Sequence, residues 1–246
     1  MTSVSVITAV DPQRSEHLPQ TWESLRTQRL PPGWDWEWLV QCDSTDADDR
    51  RRVQALIPDD ERISFGASRR GGPGIARTMA LARATGALVK TLDADDQLTE
   101  GALARDVVAH QQPNVYWSAS RVLDWREGET SPHYPWDPQA GRIKSGMVYG
   151  AYRNNFRILV HPATLCIKFQ LLVALGGWMA LPASEDTALL LALDAVCDGW
   201  FNDEVGMNYR RWEPQMSANT DPEEFAARRY LVTTRAEALS ALITRR

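Results

Sequence analysis

The chain has 246 residues and 43% hydrophobic content, enough for one large domain with appendages built on a real core. Lysine and arginine number 27 against 32 aspartate and glutamate, and the net charge of −5 argues against nucleic-acid binding driven by bulk positive charge. Three scattered cysteines, Cys42, Cys166 and Cys197, form no CxxC pair, which argues against a disulfide framework or a zinc ribbon and fits a reducing, cytoplasmic setting.

In chain order, Met1 leads directly into Val4-Ser5-Val6-Ile7-Thr8 without a basic leader or apolar signal core, so no export is expected. Short apolar runs then alternate with helical patterns. Strands are predicted over residues 3–10, 36–41, 62–65 and 87–92, with helices over 16–28, 47–56 and 74–85 between them. This β-α order predicts a mostly parallel sheet, whose ligands sit beyond the carboxyl ends of the strands. A helix is expected from near Thr99, a strand over 115–123, and a proline-, glycine- and tryptophan-rich stretch over 124–150. Helices resume near 169–175 and 185–196, and Asp221-Pro222 opens a last helix to about Ile243. No apolar run reaches the roughly 18 residues of a membrane span, so no transmembrane segment is predicted.

Four clusters carry chemistry. Leu92-Asp93-Ala94-Asp95-Asp96 ends an apolar strand; alternate residues of an extended chain point the same way, so Asp93 and Asp95 can meet one hard cation such as Mg²⁺ or Mn²⁺. The plain alternative is a solvated acidic turn. Pro182-Ala183-Ser184-Glu185-Asp186 precedes an apolar helix, either as an ordinary start capped by Ser184 or as the place of a general base. Arg69-Arg70-Gly71-Gly72-Pro73-Gly74 is a basic glycine-rich loop entering a helix, where backbone amides suit phosphate. It lacks both GxGxxG and a Walker lysine. Asn208-Tyr209-Arg210-Arg211-Trp212-Glu213-Pro214-Gln215-Met216-Ser217 is a basic aromatic segment, either a strand edge or a loop that closes over an anion. Of the ten tryptophans, Trp117, Trp125, Trp136 and Trp178 are candidates for stacking on sugar faces, with core packing as the alternative.

The order of these elements resembles the family 2 inverting glycosyltransferases, which share the nucleotide-sugar-binding GT-A fold. The resemblance spans residues 3–217. It is carried by the first strand, by residues 21–28, by Trp38-Leu39-Val40 leading to Asp43-Ser44-Thr45-Asp46, by Gly74 to Arg77, by Gly86 through Asp96, by Leu175-Gly176-Gly177-Trp178 and by Glu185-Asp186. It implies a donor half over 1–112, an acceptor and catalytic half over 113–217, and a C-terminal helix over 218–246 packed on the same domain. It implies transfer of a sugar from a nucleotide-diphosphate donor, UDP-linked, to an acceptor hydroxyl. By that likeness Asp93 and Asp95 hold a divalent cation, Asp186 is the base with Glu185 beside it, and Val10, Asp11, Asp43, Arg77, Ala94, Arg210 and Arg211 meet the donor. His161 and Trp178 border the acceptor.

Four positions depart from the family pattern. Gln41 and Cys42 stand where two base-reading acids are common, Thr78 where asparagine is usual, and Trp212 where a histidine often ligates metal. A sugar nucleotidyltransferase is one alternative, although Asp11-Pro12-Gln13 replaces the glycine-rich signature it needs after the first strand. A haloacid-type phosphatase would carry its aspartate pair after the first strand instead of the fourth. A non-catalytic carbohydrate- or nucleotide-sugar-binding protein would explain the tryptophans but has no use for two acidic clusters. The acceptor and the oligomeric state stay open.

Overall fold

A computed structural model describes residues 2–126, 128–132, 136–211 and 221–244. The first half follows the predicted alternation: β1 (Thr2–Val10), α1 (Leu18–Arg26), β2 (Trp34–Cys42), α2 (Ala47–Gln54), β3 (Ile63–Ala67), α3 (Pro73–Ala80) and β4 (Leu88–Thr91). β3, β2, β1 and β4 lie side by side and parallel. β1 and β2 are rich in β-branched and aromatic residues and are buried in near-continuous runs, because both faces of the sheet are covered. Val4, Val6 and Val10 of β1 and Trp36, Trp38 and Val40 of β2 pack toward α1, while Ile7 and Leu39 enter the core on the opposite face. Trp22 stacks on Trp38 at 5.5 Å between ring centroids and meets Trp36 edge-on at 5.9 Å, so these tryptophans are core.

The second half contains β5 (Gln97–Leu98), α4 (Ala102–His110), β6 (Trp117–Arg126), β7 (Glu129–Pro132), β8 (Gly141–Ile143), α5 (Met147–Asn155), β9 (Cys166–Lys168), α6 (Phe169–Ala174), α7 (Glu185–Val196), β10 (Gly199–Arg210) and α8 (Pro222–Thr244). The sheet runs β3-β2-β1-β4-β9-β6-β10-β5, with β7 beside β6 and β8 beside β10. β9 is antiparallel to both neighbours, β4 and β6, so β6 and its parallel partner β10 regain the direction of β4. The C-terminal ends of β1–β4, β6 and β10 therefore open on one edge. β10 is the main difference from the sequence expectation, which placed Asn208–Arg211 in a segment of its own. It is a 12-residue strand with register shifts between Asn202, Val205 and Met207. The helix expected near Thr99 starts at Ala102, after β5.

Inside the sheet, the Lys90 ammonium lies 2.8 Å from Asp106, with side chains 1% and 2% exposed, and donates to the Thr164 carbonyl at 2.6 Å. Ser118 also donates to Asp106 at 2.7 Å. Lys90→Met alone strands a buried carboxylate and is expected to cost about 3–5 kcal/mol, whereas Lys90→Met with Asp106→Leu recovers most of that loss. Urea unfolding of the three proteins measures both; equal stability of single and double variants would mean that the pair is not coupled.

Candidate active site

The open edge gathers most of the residues singled out in the sequence. Val10 is buried at the end of β1 and its carbonyl accepts from the Asp43 amide at 2.9 Å, which locks the ends of β1 and β2 together. Asp11 follows, paired with Arg70 at 2.9 Å and accepting from the Gln13 amide. The two carboxylate oxygens of Asp43 accept from the Gly71 and Gly72 amides, both at 2.8 Å. These loop amides are thus satisfied within the chain by an aspartate, not left pointing outward for phosphate.

At the end of β4 the acidic run folds into a tight loop. The Thr21 hydroxyl on α1 sits 2.9 Å from the carbonyl oxygens of both Ala94 and Asp96 and staples the loop to the helix. Asp96 is 1% exposed and accepts from the Arg210 amide at 2.8 Å. Burial, reinforced by Asp95 and Asp93, pushes its carboxyl well above the ordinary carboxylate range, and its second oxygen has no hydrogen-bond partner among the described residues. Asp96 is therefore a buried strut for the end of β10, while Asp93 and Asp95 remain partly exposed.

The centre of the site is Arg77. Its guanidinium is 6% exposed and bridges Asp93 at 2.5 Å to Glu185 at 2.8 Å, joining the end of β4 to the start of α7. Burial alone would lower its pKa, and Asp93 and Glu185 outweigh burial to hold the charge firmly in place. Gly74 makes this approach feasible: a Cβ there would fall 2.6 Å from the Met179 carbonyl and 3.0 Å from the Glu185 side chain. Asp186, next along the first turn of α7, is not taken up by the bridge. It accepts from the Thr187 amide at 2.6 Å, and burial lifts its carboxyl to about 6, aided by Glu185 and Asp93 and opposed by Arg77. Ser184 does not cap the helix as expected. It has φ +66° and makes no side-chain cap bond; its hydroxyl meets Arg228 of α8 instead. A non-glycine residue in the left-handed region at this point is backbone strain located at the site.

Arg210 turns inward from the end of β10. It donates to the Asp95 carbonyl at 2.7 Å and to Gln20, and lies 4.0 Å from the Trp125 ring centre. Arg211 pairs with Asp124 at 3.0 Å. Trp212 to Ser217, the remainder of that basic segment, and His133 lie outside the described residues. His161 is 8% exposed, accepts from the Ala163 amide through Nδ1 and packs 4.7 Å from the Tyr209 ring. Trp178 is 3% exposed in the core, and its backbone N–H and C=O both meet the Thr78 hydroxyl, at 2.9 and 3.2 Å. That contact gives Thr78 a role where asparagine was expected. Trp117 is core as well, and Trp136 lies partly exposed beneath Arg157. Gln20 and Thr21 have structural roles at the site that were not expected from the sequence, although Thr21 opens one of the segments that carry the resemblance. A cavity of about 450 Å³ lies elsewhere, against Tyr149, Ala236 and Glu237.

The Glycosyl transferase family 2 model matches residues 5–165, a span that holds Arg77 and the acidic loop but ends before Glu185, Asp186, Arg210 and Arg211. No curated protein matches the chain significantly. Among solved structures, the chain is similar to Staphylococcus aureus TarS 1–349 in complex with UDP-GlcNAc, with TM-score 0.70 and 18% identity over 99% of this chain and 72% of that one. Against the longer S. aureus TarS structure it covers 94% of its own length but 39% of the other chain, with TM-score 0.65 and 17% identity. It is also similar to the mannosyltransferase PcManGT of Pyrobaculum calidifontis in complex with GDP-Man and Mn²⁺, with TM-score 0.57 and 17% identity over 97% of this chain and 74% of that one. The curled, mainly parallel sheet is thus the GT-A fold, and with the family model matching well over half its length the chain belongs to glycosyl transferase family 2 and is a glycosyltransferase.

Proposed function

We propose that the protein transfers a sugar from a UDP-linked donor to an acceptor hydroxyl with inversion, in one displacement. The observation that carries this reading is the Asp93–Arg77–Glu185 bridge, which fixes the acidic strand end beside the start of α7 and leaves Asp186 next to it with a carboxyl poised near 6. Asp186 accepts the acceptor's proton as its oxygen attacks. Glu185, held by Arg77, sets the position of the α7 first turn. Val10, Asp11, Asp43, Ala94 and Arg211 line the donor side, and Arg210 holds the acidic loop in shape through the Asp95 carbonyl. His161, on Tyr209, faces the acceptor side, and Trp178 supports it from the core. UDP-GlcNAc and UDP in the TarS structures support the choice of nucleotide, and the free cysteines support a cytoplasmic setting. No described helix is long and apolar enough to cross a membrane.

Among the described residues no three histidine, cysteine or acidic side chains gather as a complete metal site. Asp93 is engaged by Arg77. The chemistry fits a cation shared with the substrate: Asp95 offers a hard, partly exposed oxygen, and Asp93 adds a second carboxylate nearby. When bound, Mn²⁺ or Mg²⁺ supplies positive charge against the leaving diphosphate. Asp95→Ala is accordingly expected to remove the manganese dependence of UDP binding, measured by calorimetry, while metal-free UDP binding persists. Wild-type manganese enhancement in that variant would take Asp95 out of the site.

The reading itself is tested by incubating the enzyme with UDP- and GDP-sugars and manganese, following release of the diphosphate and determining the anomeric form of the product by NMR. Inversion with a UDP-sugar is the expected result. A retained configuration would exclude the single displacement, and turnover of GDP-sugars alone would exclude the UDP assignment.

A further inference from the structure

The buried face of α8 begins with a charge. Arg228, 6% exposed, precedes Val232, Ala236 and Leu239 at helical spacing, and these three enter the core that also holds Leu189 and Leu193 of α7. Arg235, on the same face, donates to the Leu175 carbonyl at 2.7 Å. With α8 anchored in this way, Arg228 is held beside the start of α7. Its Nη1 donates to the Ser184 hydroxyl at 3.2 Å, while Nε lies 3.3 Å from the exposed Glu224 one turn earlier.

Ser184 is the joint between the preceding loop and α7. Its carbonyl accepts from the Ala188 amide at 2.9 Å and so opens the helix, yet its backbone is left-handed and its side chain caps nothing. A serine in this place ordinarily adopts extended backbone and turns its hydroxyl onto the second or third amide of the helix. Here the third amide, that of Thr187, goes to the Asp186 carboxylate at 2.6 Å. The Ser184 hydroxyl and the Asp186 carboxylate are therefore rivals for one donor, and Arg228 holds the hydroxyl away from it. We propose that Arg228 is a positioning residue for transfer: by tying Ser184 to α8 it leaves the Thr187 amide to Asp186, so that one carboxylate oxygen is fixed while the other takes the acceptor's proton. This rests on Asp186 being the base. Without Arg228, relief of the left-handed strain favours the ordinary cap, and the hydroxyl displaces the carboxylate from the Thr187 amide.

The test is steady-state UDP release from a UDP-sugar that the wild type turns over, on variants whose folding is checked by circular dichroism. Arg228→Met should keep KM for the donor and lower kcat at least about tenfold, since a small misplacement of a reacting group is costly. Adding Ser184→Gly to it should recover most of that loss, because glycine has no hydroxyl to compete and takes the left-handed conformation without strain. Arg228→Lys, whose ammonium still reaches for the hydroxyl, should lose less, and it carries the same comparisons if methionine prevents folding. In an Asp186→Asn background the Arg228 change should cost nothing further, because both act through one carboxylate. Wild-type kcat in folded Arg228→Met, no recovery on adding Ser184→Gly, or an equal loss in the Asp186→Asn background would each overturn the proposal. Slow Asp186→Asn beside normal Arg228→Met would end this inference alone, whereas normal turnover in folded Asp186→Asn would end the base assignment and this inference together.

Discussion

Asp186→Asn is expected to lower transfer by about 10²–10⁴-fold while fold and donor affinity stay at wild-type levels, because an amide cannot accept the acceptor's proton. The sign of the accompanying stability change separates a base from an ordinary helix-start acid. Burial raises the Asp186 carboxyl to about 6, so the folded chain binds this proton more tightly than the unfolded chain does. The stabilisation from that proton is present below the ordinary carboxylate range and lost as pH rises through about 6. At pH 8 asparagine therefore removes a charge from a partly buried position, and the variant should melt no lower than the wild type. For the wild type, activity should fall as pH drops through about 6, since the base is then protonated, and this limb should be absent from the residual activity of the variant. Near-normal turnover in folded Asp186→Asn, with melting followed by circular dichroism, would sink the proposed base.

Arg77→Met should be the most destabilising single change at the site. It leaves Glu185, with a side chain 8% exposed, without its cation, and breaking a buried pair from one side costs about 3–5 kcal/mol. Asp93, 29% exposed, is relieved in part by water. Two further variants keep the test informative if that one fails to fold. Arg77→Met with Glu185→Gln removes both charges and should recover much of the stability but little activity. Arg77→Lys keeps the charge without the two-pronged guanidinium, so it should fold and lose at least about tenfold in kcat, because one ammonium cannot hold both carboxylates in line. Full activity in Arg77→Lys would show that the bridge plays no part in aligning strand and helix.

The sequence determined the regular half of the protein. From β1 to β4 the apolar periodicity is strong and each strand is bounded by a turn, so pattern and packing agree, and the acids after β4 were legible as a strand-end cluster. The matched order of motifs was enough to identify the family and the GT-A fold. What stayed illegible has local causes. β10 carries the polar run Asn202-Asp203-Glu204 and two register shifts, which break period two; β5 and β9, of two and three residues, are too short to show any period.

At the site, residue type alone could not say which acid does what. Asp93, Asp95 and Asp96 look alike in sequence, yet one pairs with an arginine, one stays partly exposed, and one is buried, with its carboxyl pushed well above the ordinary range. That Asp43 holds the Gly71 and Gly72 amides was not legible either, and Ser184, offered as a cap, does not cap. These outcomes depend on desolvation and on partners brought from far along the chain: Arg77 lies 16 residues from Asp93 and 108 from Glu185. Periodicity records which face of an element is buried, and so the sequence sufficed for the layers. Charge state and pairing depend on distances across those layers, which only the tertiary structure decides.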